Sequence, residues 1–273
     1  MFDLYVVSTP IGNLEDISLR ALRVLRMVKL IAAEDTRKTK RLLNAYDIKT
    51  PLTSYHEHNK WSKLDSLLRF LEETGDIALV SEAGTPGISD PGHELIVAAE
   101  QNGVPIIPIP GASVVITALA ISALPTDHFT FVGFLPRFSG QRQEFIKSVA
   151  GTSATLVVLE APHRLRDTLT DLMVILGDRR IAVCRELTKM HEEVFRGRLT
   201  EALERFIEPR GEFTLVVEGN LRAAEAPKMT DQIEERLRQM RSNGMSAREA
   251  IPLVSKETGL ARRELYRVWL KLS

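Results

Sequence analysis

Three short stretches bearing glycine and proline follow apolar, strand-like runs, and their residue types suit a small ligand held by main-chain groups. They are Thr9-Pro10-Ile11-Gly12-Asn13 after Leu4 to Ser8, Ser81 to Gly92 after Ile77 to Val80, and Pro110-Gly111-Ala112-Ser113 after Val104 to Ile109. The middle one, Ser81-Glu82-Ala83-Gly84-Thr85-Pro86-Gly87-Ile88-Ser89-Asp90-Pro91-Gly92, carries three glycines and two prolines. Glycine lets a ligand lie against the backbone, and proline stiffens the loop. The helical pattern His93 to Gln101 follows, with Asp90 expected as its N-cap and Pro91 at its first position. A stiff loop at the carboxyl end of a strand, feeding a helix N-terminus, is where open α/β sheets bind ligands. An ordinary tight turn is the alternative.

Side chains able to move or stabilise a proton lie near other strand ends. Glu34 and Asp35 precede the basic run Arg37-Lys38-Thr39-Lys40-Arg41, and Glu186 and Lys189 sit in Arg185-Glu186-Leu187-Thr188-Lys189. With His56 these are the candidate bases or charge stabilisers. Asp35 and Glu186 could equally be N-caps, or ion partners of Arg37 and Lys189. The basic run reads either as a solvated helix face or as a contact for RNA phosphates. His56-Glu57-His58 lacks the spacing of a metal-binding helix face and has no cysteine nearby, so no metal is expected. Neither a phosphate-binding G-x-x-x-x-G-K-[ST] string nor G-x-G-x-x-G occurs, and no serine stands in G-x-S-x-G.

The elements that position these residues alternate. Strands at Leu30 to Ala33, Thr53 to Tyr55 and the three already named are separated by helical patterns at Ser18 to Met27, Lys38 to Tyr46, Trp61 to Glu73 and Val114 to Ser122. Strands apolar on both faces predict a mostly parallel sheet covered by helices on both sides. A second series begins at Phe129 to Leu135, continues through Thr155 to Glu160 and ends in strands at Ile181 to Glu186, Glu193 to Gly197 and Phe213 to Glu218, which predict a mixed sheet. Leu221 to Lys228 reads as a linker. Beyond it Ser246 and Glu249 form a capping box, Gly259 stops a helix, and Leu265, Val268, Trp269 and Leu272 mark the inner face of a last one. The reading is α/β, with domains at residues 1–122 and 123–220 and a helix-turn-helix-like module at 228–273.

Composition narrows the class. The chain has 273 residues, 36 basic and 36 acidic, so no overall field favours nucleic acid and any such contact must be a local patch. From Leu221 onward eleven basic residues outnumber seven acidic ones, which fits either a nucleic-acid patch or a small bundle packed on a partner. One cysteine, Cys184, excludes an internal disulfide; with no bilayer-length apolar run and no signal-like start, a cytoplasmic protein is expected.

The three turns together resemble those of the tetrapyrrole-methylase superfamily of S-adenosylmethionine-dependent methyltransferases. The fuller strings Ser8 to Ile17, Ala33 to Arg37, Glu82 to Gly92, Gly133-Phe134-Leu135-Pro136 and Arg185 to Lys189 resemble its bacterial branch that methylates the ribose 2′-hydroxyl of a cytidine in the decoding region of 16S rRNA. The resemblance runs from about Leu4 to Gly219. It implies a cofactor folded in a cleft between two α/β domains. Pro10 would line it from the first turn, Ala83, Gly84, Thr85 and Ile88 from the second, Ser113 and Val114 from the third, and Glu160, Leu187 and Thr214 from the second domain. Asp35, Glu186 and Lys189 are then the catalytic candidates, and Arg37, Lys38 and Arg41 the RNA contacts. Glu82 stands where that family more often has Asp. A homodimer and the small ribosomal subunit as partner are also implied. Methylation of a tetrapyrrole or another small substrate is the nearest alternative. A nucleic-acid-binding regulator is the more distant one.

Overall fold

In a computed structural model, residues 2–220 and 229–272 are described. The segment expected to be a linker, Leu221 to Lys228, lies outside the described residues. One compact unit comprises residues 1–150 and 154–218; the other comprises 151–153 and 219–273.

The first unit holds two five-stranded sheets. Strands β1 (Leu4–Val7), β2 (Leu30–Ala33), β3 (Leu52–Ser54), β4 (Ile77–Val80) and β5 (Ile106–Ile109) pair in the order β3-β2-β4-β1-β5, every pair parallel. Helices α1 (Leu19–Met27) and α2 (Thr36–Ala45) cover one face; Ala21, Leu22, Val24 and Leu25 of α1 pack with Leu43, Ile31, Ala33 and Val80. On the other face α3 (Lys60–Glu73) and α4 (His93–Gln101) bring Leu67, Leu71, Leu95 and Ala99 onto Leu4, Ala32 and Leu79. All four residues of β4 are buried, which is why its sequence shows no alternation.

The expected mixed sheet is the second one. Strands β6 (Phe129–Phe134), β7 (Thr155–Glu160), β8 (Arg180–Arg185), β9 (Glu193–Arg198) and β10 (Phe213–Val217) run in the order β6-β7-β10-β8-β9. Only β6 and β7 are parallel; the other pairs are antiparallel. Helices α6 (Ser139–Val149), α7 (Leu165–Leu176) and α8 (Leu199–Arg205) cover one face. The other face is covered by α5 (Val114–Ile121), which leaves the first sheet: its Val115, Ala118 and Leu119 pack on Val157, Ala182, Cys184 and Val216. One face of α5, with Val115, Ala118 and Leu119, is buried on the second sheet, while Ile116 on its other side is exposed.

Two local expectations change. Helix α2 begins two residues early, because Asp35 caps it and accepts the N–H groups of Arg37 and Lys38 at 2.8 and 3.2 Å. Asp90 does not cap α4. Gly92 occupies that position at φ 142°, and Ser89 at φ 62° has already turned the chain, so Asp90 points elsewhere. Only glycine tolerates the Gly92 conformation without strain.

In the second unit, helices α9 (Asp231–Ser242), α10 (Ala247–Thr258) and α11 (Arg262–Lys271) enclose Leu237, Val254, Leu260, Leu265 and Trp269. The capping box at Ser246 and Glu249 and the left-handed Gly259 at φ 74° are present as expected. Arg236 pairs with Glu257 and Arg238 with Glu235, whereas Arg262, Arg263, Arg267 and Lys271 form no ion pair among the described residues.

A buried ion pair joins α6 to α7: Arg142 Nε lies 2.6 Å from Asp171 Oδ2, with the side chains 5% and 10% exposed. Gln143 donates to the other carboxylate oxygen at 2.8 Å. Removing one partner strands the other charge, so Asp171→Leu should cost roughly 3 kcal/mol in chemical denaturation. Pairing it with Arg142→Met should recover much of that loss.

Candidate active site

Strand β1 lies between β4 and β5, so the turns that leave these three strands at their carboxyl ends are neighbours in space. Main-chain hydrogen bonds fasten the first two: Thr9 N–H donates to Gly84 O at 2.8 Å and Gly84 N–H to Thr9 O at 3.1 Å. The hydroxyls of Ser8 and Thr85 share a hydrogen bond of 2.8 Å. The third turn is held by close contact, because a Cβ on Gly111 would come within 3.2 Å of the Ser8 carbonyl.

A cavity of about 380 Å³ opens where these turns face the second sheet. Eight of the ten residues expected around a cofactor line it: Ala83, Gly84, Thr85, Ile88, Ser113, Val114, Glu160 and Thr214. Gly84 adopts φ 81°, a left-handed conformation that brings bare backbone to the wall. Ser113 caps α5 without using its side chain, so the hydroxyl and the first N–H groups of α5 are available to an anionic group. Glu160 lines the wall but its carboxylate is already engaged. One oxygen accepts from Ala161 N–H at 2.9 Å, the other accepts from the Thr168 hydroxyl at 2.5 Å, and Arg164 lies at 3.3 Å. Glu160 therefore fixes the 161–164 turn.

A second cavity of about 440 Å³ adjoins the first, and Ile11, Ala83 and Glu212 belong to both walls. Pro10, Lys38, Arg41 and Lys189 line this one. Lys189 Nζ donates to Glu186 at 3.0 Å and to Glu212 at 2.8 Å. Burial pulls its ammonium down, but these two carboxylates outweigh burial and hold its pKa above the ordinary lysine value. Lys189 thus carries a positive charge at neutral pH and is not a proton acceptor. Burial would raise Glu186, yet the Glu212 N–H and the Lys189 ammonium keep its carboxyl below the ordinary range. Glu186 supports Lys189 from a strained left-handed conformation at φ 51°.

The remaining sequence candidates lie apart from the cavities. Leu187 is buried beneath them, packed with Ile11 and Val115. The Arg37 side chain and the backbone N–H groups of Arg37 and Lys38 lower the Asp35 carboxyl, which makes it a cap and a weak base. Arg37 is 89% exposed and, among the described residues, meets only Asp35 as a charged partner. Glu34 accepts the Glu82 N–H at 3.0 Å, and Glu82 pairs with Lys38. His56 lines neither cavity. No group of His, Cys, Asp and Glu among the described residues could hold a metal ion, and no described helix is long and apolar enough to cross a membrane.

Sequence reasoning missed Glu212, Asp90 and Phe134. Glu212 precedes an unremarkable strand, and nothing in its own string signals a place at the junction of two cavities. Asp90 was visible but given the wrong task. It lines the first cavity, where burial and then the Glu34 charge push its carboxyl up to about 6. Phe134, 57% exposed, forms part of the cavity wall.

This arrangement, two α/β layers with a cleft walled by three parallel-strand turns, is that of a known class of methyltransferase. Solved structures share the fold: diphthine synthase at TM-score 0.63 and 15% identity over 81% of this chain and 93% of that one, and the uroporphyrin-III-C-methyltransferase of Thermus thermophilus at TM-score 0.54 and 21% identity over 79% and 94%. The chain belongs to the tetrapyrrole (corrin/porphyrin) methylase family, whose pattern matches residues 3–203. Within it the chain groups with proteins named ribosomal RNA small subunit methyltransferase I. It is 48% identical to that of Halalkalibacterium halodurans over 97% of this chain and 94% of the relative, and 46% identical to that of Synechocystis over 98% of each.

Two outcomes follow from this geometry. A Cβ on Gly12 would sit 2.6 Å from Thr188 Oγ1 and 2.8 Å from the Leu187 carbonyl, so Gly12→Ala must push the first turn off the 187–189 loop. About 1–3 kcal/mol of stability should be lost in a denaturant melt, with weakened cofactor binding by calorimetry. Asp90 binds its proton more tightly folded than unfolded, so its contribution to stability falls as pH rises from about 4 to about 6. Asp90→Asn should flatten that part of the melting-temperature profile and raise the melting temperature at pH 7.

Proposed function

We propose that this protein is an S-adenosylmethionine-dependent methyltransferase that methylates the ribose 2′-hydroxyl of a cytidine in the decoding region of 16S rRNA, acting in the cytoplasm on the small ribosomal subunit. The observation that carries this reading is the pair of contiguous cavities: one walled by backbone turns and apolar side chains, the other by Lys38, Arg41 and Lys189. The first fits the cofactor. Backbone at Gly84 and Thr85 and the start of α5 offer donors and acceptors for its amino acid end, Ile88 and Val114 offer apolar surface, and the Asp90 carboxylate suits its positive sulfur. Pro10 and Leu187 back that wall from the adjoining cavity and from the core. When bound, the cofactor supplies a methyl group activated by sulfonium.

The chain's own contribution is placement. Holding the hydroxyl in line with the methyl removes most of the entropic barrier. Lys189 stabilises negative charge developing on the attacking oxygen, and Glu186 fixes the ammonium in place. Glu212, at the shared wall, is the carboxylate best situated to accept the hydroxyl proton. Asp35 contributes by capping α2 and so presenting Lys38 and Arg41, with Arg37 further out, to RNA phosphates. The names of the relatives and the unpaired cations of α11 support an RNA substrate over a tetrapyrrole. Residues 1–122 and 123–220 would share the cofactor cleft, 228–273 would add RNA contacts, and the working form would be a homodimer.

The test is incubation with labelled S-adenosylmethionine and small subunits lacking the modification, followed by alkaline hydrolysis. An alkali-resistant labelled dinucleotide from 16S rRNA is expected; label on a base, or on tetrapyrrole alone, overturns the reading. Lys189→Met should lower kcat roughly 100-fold with little change in cofactor Kd.

A further inference from the structure

Far from the cleft, three arginines share one face at the end of the second sheet. Arg180 opens β8 and stands directly opposite Arg198 in the antiparallel ladder, while Arg196 lies two residues before Arg198. Side chains alternate along a strand, so all three point to the same side, the side covered by α5. Together with Ser122, Leu124 and Glu201 they line a concavity of about 380 Å³.

Like charges directly opposite in a sheet are destabilising, and among the described residues only Arg180 of the three has an ion-pair partner. Glu218 approaches Arg180 at 3.5 Å, and Glu201 spends one oxygen on the Arg198 backbone N–H at 2.7 Å. Carbonyl oxygens fix the guanidinium planes instead. Arg196 donates twice to Ile121 O at 2.8 and 2.5 Å, Arg180 donates to Ala123 O at 3.0 Å, and Arg198 donates to Asp178 O at 2.7 Å. Capping the end of α5 accounts for Arg196 and Arg180. It does not account for Arg198, which leaves that helix alone and keeps donors free toward the concavity. Immobilised guanidiniums with spare donors match a phosphate oxygen pair and lose little entropy on binding it.

We propose that the Arg180–Arg196–Arg198 pocket is a second binding site, one that takes a backbone phosphate of the substrate RNA outside the target nucleotide. This rests on the reading of the substrate as RNA. Strand β8 runs from Arg180 to Arg185, and Cys184 pairs with the cavity-lining Thr214. At about 3.3 Å per residue, the pocket therefore lies on the order of 15 Å from the cleft, within reach of a phosphate a few nucleotides away. It would set the register of the RNA and leave the chemistry to the cleft.

The test is binding of the full chain to unmodified small subunits over a range of salt concentrations, for wild type, Arg198→Gln, Arg198→Glu and Arg198→Lys. Arg198 flanks α8, and these changes keep its backbone N–H bond to Glu201 but remove the side-chain bond to Asp178 O; an unchanged melting temperature and unchanged S-adenosylmethionine affinity by calorimetry show that the fold is kept. Loss of one phosphate contact should weaken binding about tenfold and make the salt slope shallower by about 0.7–0.9, with the lysine variant intermediate. Wild-type affinity and slope in the Gln and Glu variants would overturn the proposal. So would a melting-temperature rise with inorganic phosphate that is lost in Arg198→Gln while RNA binding is kept, since that marks a free-anion site. If the wild type shows no salt-dependent binding to the subunit at all, the RNA reading itself fails, and the pocket assignment with it.

Discussion

The reciprocal main-chain pairing of Thr9 with Gly84 is the constraint on which the site depends. It is an isolated antiparallel bridge just beyond the parallel β1–β4 ladder, and it turns two loops into one wall. Without it, two glycine-rich segments would have to be ordered by the ligand, at a cost of roughly 1–2 kcal/mol per residue. The third turn needs no such bond, because Gly111 packs so closely on Ser8 that the β1–β5 pairing dictates its position. A preformed cradle of this kind spends binding energy on orientation rather than on ordering.

The two sheets cohere for a different reason. Helix α5 starts at the third turn and finishes in the core of the second sheet, so the element that walls the cavity also ties its halves together. Gly12 supplies the second tie, with Asn13 N–H donating to Thr188 Oγ1 at 3.1 Å. Packing of α5 and the Asn13–Thr188 hydrogen bond thus tie the two sides of the cleft at two places. Charge is arranged with similar economy. Asp90 lines the first cavity, with the Glu34 and Glu82 charges near enough to raise its carboxyl, and Lys38, Arg41 and Lys189 line the second together with Glu82 and Glu212.

Much of this was legible in residue order. Apolar runs without alternation announced buried parallel strands, and the helical pattern at Val114 to Ser122 announced the helix that leaves the third turn. The capping box at Ser246 and the stop at Gly259 are local devices, and they appear where the sequence puts them. Eight of the ten expected cofactor contacts line one cavity, five of them in the second and third turns and the others at the start of α5, the end of β7 and in β10. Asp90 shows the limit of local reasoning: an Asp-Pro pair before a helix is a good cap by propensity, yet the positive φ angles at Ser89 and Gly92 redirect it into the cavity.

By itself, then, the sequence determined the elements, their class of fold, and the three turns, since backbone propensity and burial pattern act over a few residues. Only the tertiary structure decided which groups meet. The strand order β4-β1-β5 makes neighbours of turns some seventy-five residues apart in the chain. The same folding places Glu212 between two cavities, makes Lys189 a held cation, and gathers Arg180, Arg196 and Arg198 at one concave face. Those juxtapositions arise from strand pairing and packing across long sequence separations, where no local pattern records the partner.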